Sequence, residues 1–151
     1  MTSFTVQVAY SQLAVFNGKM DKPLNKWTHH HVRQGFSWRK GSVSFKTLEE
    51  DCELSIQLNL VDKFPPINQK SAQVIEVPFA VGTYGIEIGS VTASEAVSIP
   101  EGNYELRIEL LDGSRFALLW FSSKEEMKFN VVKLHQSSEL PTDLILTAEP
   151  A

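Results

Sequence analysis

One cysteine in 151 residues leaves no partner for an intrachain disulfide, so a disulfide scaffold is excluded. No window comes near the run of about 18 apolar residues that a membrane-spanning helix needs. Basic residues are in deficit: 14 Lys and Arg stand against 18 Asp and Glu, for a formal charge of −4 and a pI near 5.6. Proteins that neutralise phosphates carry a clustered basic face, so direct nucleic-acid binding is not expected. Gly-x-Ser-x-Gly, Gly-x-Gly-x-x-Gly and the phosphate loop are all missing, which removes the familiar hydrolase, dinucleotide and nucleotide chemistries. Repeats and low-complexity segments are missing too. The opening Met-Thr-Ser-Phe-Thr-Val-Gln-Val lacks a basic start, a long apolar run and a cleavage site, so no signal peptide is read and a cytoplasmic location is expected.

What is present is a globular composition, 42% hydrophobic and 21% charged. A chain of this length buries roughly 70% of the surface its unfolded form exposes, so one domain over 1–151 needs no metal or cofactor to hold it. Val74–Val81, Gly85–Val91, Ala96–Ile99 and Pro100–Leu111 alternate between apolar and polar residues, separated by Gly, Pro and Ser. That is the pattern of half-buried strands. In the last of them Tyr104, Leu106, Ile108 and Leu110 share one face, and a period of two sends Glu105, Arg107 and Glu109 to water. The same spacing predicts strands over Thr2 to about Ala9, a second piece to Phe16, Ser42–Lys46, Cys52–Leu60, Arg115–Phe121, Met127–Leu134 and Asp143–Ala148. Cys52 falls on the face of Leu54, Ile56, Leu58 and Leu60, which makes it a core thiol. Arg115–Phe121 is nearly all apolar and should be buried on both faces or lie against the helix. Asn17-Gly18 reads as a turn, and Asp112-Gly113 as a two-residue hairpin.

A single short helix is predicted near Trp27–Gly35. Thr28 is the N-cap, Trp27 and Val32 form a hydrophobic staple that packs on the sheet, and Gly35 takes the left-handed C′ position. The expected fold is all-β: an antiparallel β-sandwich or flattened barrel with one short helix.

Few residues suggest chemistry. His29, His30 and His31 point about 100° apart on a helix, so they cannot converge on one metal ion. They are read as solvent-facing residues of the first turn, in a place where positive charge opposes the helix dipole. Glu76, Glu87, Glu105 and Glu109 are read as solvated strand-face carboxylates rather than a glycosidase-like pair. No catalysis, metal or cofactor is therefore expected. Two features fit protein binding. Glu49, Glu50 and Asp51, with Glu53, make an acidic hairpin tip that could blunt a sheet edge or steer a basic surface. Trp38, in a turn, is either an exposed interface anchor or a core residue.

Tyr10-Ser-Gln-Leu-Ala-Val-Phe16, Asp21 to Thr28, Gly35-Phe36, Gly41-Ser-Val-Ser-Phe45, Val77-Pro78-Phe79, Gly85-Ile86 and Pro100-Glu-Gly-Asn-Tyr104-Glu-Leu106 occur in that order. Together, across residues 10–106, they resemble the competence protein J family, inhibitors of the bacterial DNA-entry nuclease. Phe129-Asn-Val-Val132 fits that family's last strand, and 135–151 reads as an extra strand or tail. The resemblance implies a non-catalytic module that occludes a nuclease and inserts in no membrane. The alternative is a β-sandwich binding a small molecule or carbohydrate through Trp38, Trp27 and the Val61–Ser71 loop.

Overall fold

The computed structural model describes residues 1–123, 126 and 128–151. Eleven strands and one helix follow in the order β1 (Thr2–Val8), β2 (Gln12–Asn17), α1 (His29–Gln34), β3 (Phe36–Arg39), β4 (Ser42–Lys46), β5 (Cys52–Val61), β6 (Ser71–Val81), β7 (Ile86–Gly89), β8 (Ser94–Val97), β9 (Gly102–Leu111), β10 (Phe116–Ser123) and β11 (Asn130–Lys133). They form two sheets, ordered β1-β5-β10-β9-β6-β11 and β3-β4-β2-β7-β8. The sandwich expectation holds, with one topological departure. Among the described residues all strand pairings are antiparallel except β5 with β10, which run parallel from Ser55↔Phe116 to Val61↔Ser122.

The core lies between the sheets. From the larger sheet come Ile56, Ile75, Val77, Phe79, Leu106, Ile108, Leu110 and Phe121; from the smaller come Leu13, Val15, Phe36, Phe45, Ile86 and Ile88. Each side chain of this size contributes about 1.5–3 kcal/mol by leaving water. The predicted inward face of β9 is correct at every position, and Cys52 is buried as its phase requires. Leu60 departs from its phase at 48% exposed, because β1 reaches only to Leu58 and leaves the end of β5 uncovered. As its composition requires, β10 is central, flanked by β5 and β9, with Ala117, Leu118, Leu119 and Phe121 buried.

Several local expectations change. Asp112-Gly113 is not a two-residue hairpin: Leu111 pairs with Phe116, so the loop spans 112–115, with Gly113 and Arg115 both at positive φ. The Asp143–Ala148 segment forms no strand, because its partners are side chains of α1 rather than a backbone ladder. Of the strand predicted over Met127–Leu134, residues 130–133 are β11; Met127 lies outside the described residues, as do Lys124 and Glu125.

In α1 the caps are as predicted and the packing is not. Thr28 is extended and its hydroxyl accepts from His31 N, while Gly35 has φ 88°. His31 Nδ1 accepts the Thr28 N–H at 3.0 Å, so a histidine completes the capping box. That role turns His31 inward, to 3% exposure, whereas Val32 is 42% exposed. His31 and Gln34, three residues apart, share the covered face. Trp27 is half-buried and meets the His31 ring edge-on at 6.4 Å. The histidines therefore divide: His31 is a core group, and His29 keeps its predicted place in solvent.

The second correction concerns the outer face of the larger sheet. Arg107 and Glu109, assigned to water by alternation, are buried with Glu76. The 62–70 loop lies over them and supplies partners. Arg107 donates to Glu76 Oε2 at 2.8 Å and to Pro65 O at 2.7 Å, and its guanidinium sits 4.4 Å from the Phe64 ring. Glu109 accepts from Asn68 N and Ser71 Oγ, both at 2.8 Å, and from Trp120 Nε1 at 2.9 Å.

Candidate partner interface

The acidic loop joins β4 to β5, which belong to different sheets, so it is a crossing loop rather than the predicted hairpin tip. Thr47 starts it as a side-chain turn, its hydroxyl donating to Glu49 O at 2.7 Å. Backbone bonds then tie the loop to the turn between β1 and β2: Thr47 N to Ser11 O and Ser11 N to Glu50 O, each 2.9 Å. The four predicted acidic residues lie together at one edge of the molecule, all of them exposed. They are not equally free. Arg115 grips Glu49 with two bonds, Nε to Oε2 at 2.7 Å and Nη2 to Oε1 at 3.0 Å. That pairing holds the Glu49 carboxyl below the usual carboxylate range and raises Arg115. Glu50, Asp51 and Glu53 have no ion-pair partner among the described residues. Their negative charge faces solvent. Beneath them, burial first and Glu49's charge second push the Cys52 thiol up, which suits an inert core residue.

Trp38 stands apart from this group. On β3, its indole N–H donates to Pro78 O at 2.7 Å and its ring meets Phe129 edge-on at 5.1 Å. Pro78 pairs with Glu105 near the start of β9, whereas Arg115 follows the end of that strand, so Trp38 sits toward the other end of the sandwich. Its polar atom is spent on joining the two sheets.

Tyr10 is a residue the alternation pattern did not single out; it lies between the two strand pieces predicted to Ala9 and to Phe16. Tyr10 and Ser11 have φ of 57° and 59°, and the Tyr10 side chain is 71% exposed. The turn is pinned on its far side as well: Ser90 Oγ accepts from Ala9 N at 3.0 Å and donates toward Ala9 O and Gln12 O.

The features that suggested small-molecule binding do not converge on one cleft. The 62–70 loop is committed to Arg107 and Glu109, and Trp27 to His31. A cavity of about 450 Å³ beside α1 is lined by other residues, among them His30, Arg33, Lys46, Gln73 and Leu140. Each carboxylate oxygen of Glu76 and Glu109 already accepts a hydrogen bond. No cluster of three or more His, Cys, Asp or Glu among the described residues is placed to hold a metal ion. No helix among them is long and apolar enough to cross a membrane.

The tail is held by the helix. Gln34 pairs with Ile145 in both directions, donating to its carbonyl and accepting from its N–H at 2.9 Å each. His31 Nε2 bonds Thr147 O at 3.0 Å, and His30 bonds Asp143 O. Farther on, Lys26 N donates to Glu149 O and Ala151 N to Leu24 O.

Fold and surface together define a small two-sheet β-protein whose distinctive chemistry is a charged rim rather than a cleft. The sequence model for competence protein J matches residues 5–132, and the chain belongs to that family. No protein of curated function matches it closely. Among solved structures, the chain is similar to that of ComJ, inhibitor of the DNA degrading activity of NucA, from Bacillus subtilis. The TM-score is 0.65 at 20% identity, over 82% of this chain and 96% of the other. The tail segment fastened by α1 lies beyond the family match.

Proposed function

We propose that this chain is a non-catalytic inhibitor of a DNA-degrading nuclease, working in the cytoplasm as one β-sandwich unit of residues 1–151. The observation that carries the proposal is the family match over 5–132. The likeness to an inhibitor of the DNA degrading activity of NucA agrees with it. The mechanism is occlusion. A nuclease cleft must be basic to hold phosphates, and the uncompensated carboxylates of Glu50, Asp51 and Glu53 offer it a competing negative surface. Such complementarity mainly raises the association rate and selects the partner. Glu49 contributes less, since Arg115 already neutralises it. Trp38 has no part in the contact surface proposed here.

The test is stoichiometric titration of purified protein into DNA cleavage by a NucA-type nuclease from the same genome. Inhibition ending near one equivalent, with a complex stable on gel filtration, is the expected result. Undiminished cleavage at tenfold excess, with no complex, would reject the proposal. Charge reversal at Glu50 and Asp51 should then slow association about tenfold at low salt and leave folding intact.

A further inference from the structure

Resting on the inhibitor reading, we infer that Tyr10 is the anchor that seats the acidic loop on its partner. Its ring enters an apolar slot on the nuclease, flanked by arginine or lysine side chains. Three independent observations lead there.

The first is conformation. A left-handed backbone is costly for a bulky residue and free for glycine. Here two non-glycine residues in succession adopt it, at φ of 57° and 59°. The pair is the two-residue turn between the bridged Ala9 and Gln12; such turns require positive φ and favour Asn, Asp or Gly, so a tyrosine there is held against its preference. The surroundings enforce it. Ser90 Oγ clamps Ala9 and Gln12 from one side, and Thr47 N and Glu50 O clamp Ser11 from the other.

The second is exposure. Tyr10 leaves 71% of its surface in water. A tyrosine fixed outward on a rigid turn loses little further freedom when it binds, and tyrosine is among the residues most often found at binding hot spots.

The third is charge. The Ser11–Glu50 hydrogen bond places the Tyr10 turn directly against the acidic loop. Glu50 and Asp51 are without cationic partners among the described residues. An aromatic face beside uncompensated carboxylates attracts a guanidinium or ammonium group twice over, through the ring and through the acids. The combination fits a basic protein surface. It is poorly suited to a second copy of this chain, whose matching surface would carry the same negative charge.

The roles of ring and acids separate kinetically. The acids govern approach, and the buried ring governs residence. The experiment measures association and dissociation of the same NucA-type nuclease with the wild-type chain and with Tyr10→Ala, Tyr10→Gly and Glu50→Gln/Asp51→Asn. Tyr10→Gly is the decisive variant, because it relieves the left-handed backbone. Its thermal midpoint should rise while its dissociation rate increases at least tenfold, a gain in stability bought with function. Tyr10→Ala should show the same faster dissociation with an unchanged association rate. The acid variant should associate more slowly and lose the salt dependence.

Dissociation unchanged in both tyrosine variants, while the acid variant still slows association, would overturn the anchor and leave the inhibitor reading standing. No complex with wild-type protein would overturn both. A wild-type chain that dimerises in sedimentation experiments, and is returned to monomer by Tyr10→Ala, would assign the ring to self-association and overturn the inference.

Discussion

Glu109 is the position at which a single atom exchange should cost most. Its carboxylate is fully buried and accepts from Asn68 N, Ser71 Oγ and Trp120 Nε1, with Arg107 Nη1 3.8 Å away. In Glu109→Gln, shape is kept while one acceptor oxygen becomes an NH2 group. Whichever way the amide turns, a donor then faces a donor. Turned toward Trp120 it strands the indole N–H; turned toward the loop it strands Asn68 N, while the Ser71 hydroxyl can turn and accept from the amide. Each charge-assisted bond lost costs about 1.5–3 kcal/mol. Arg107 keeps Glu76 at 2.8 Å, so its charge is not abandoned. The expected loss is therefore about 3 kcal/mol, toward the low end of the range for breaking a buried pair. That is a large share of the roughly 5–15 kcal/mol by which a domain is stable. Urea unfolding followed by tryptophan fluorescence measures it, with an unchanged slope showing that the same surface is exposed. A change below about 1 kcal/mol would mean that water reaches this face, and the covering role given to the 62–70 loop would be wrong.

Two further outcomes follow from the structure. Removing residues 142–151 deletes the bonds to Gln34, His30, His31, Leu24 and Lys26; after the entropy regained by the freed tail, roughly 2 kcal/mol should be lost. An unchanged melting temperature would show the tail to be a passenger. Arg115→Gln should return the Glu49 carboxyl toward its ordinary value in an NMR titration. Because Glu49 is depressed in the folded state, any stability from the pair is present above the unfolded value and lost as pH falls through the folded one. The difference between wild type and variant should therefore vanish in acid, and a difference that persists there would refute the assignment.

The sequence was most legible where a residue's fate depends on its own strand. Tyr104, Leu106, Ile108 and Leu110 are read inward by phase alone, as is Cys52, and Gly35 is fixed by the helix it ends. Arg107 and Glu109 escaped because alternation tells which face a residue occupies, not what lies over that face. The covering loop is some forty residues away in sequence, as the Arg107 and Glu109 bonds to Pro65 and Asn68 record. His31 escaped because an imidazole took the acceptor role that Glu or Gln usually fills in a capping box. Asp143–Ala148 carries a strand-like pattern, yet side-chain amide and imidazole groups of α1 stand in for a neighbouring strand. The acidic loop was found by composition, whereas the outward placement of Tyr10 beside it depends on a turn whose clamps, Ser90 and Glu50, lie far away in sequence.

The parallel seam between β5 and β10 constrains the order in which the molecule can assemble. While the chain is being synthesised, β5 emerges early and can zip onto β1, but its other edge has no partner until β10 arrives. By then β6 and β9 have also been made, and β10 must slot between two edges already waiting, pairing Ser55 with Phe116 on one side and Leu111 with Phe116 on the other. Closing such distant pairings is slow, because the loop entropy is spent before the contacts form. Until the last apolar strand slides home, the nascent protein carries two open, sticky edges. Variants weakened in Phe116–Phe121 should therefore partition into inclusion bodies more than the wild type does.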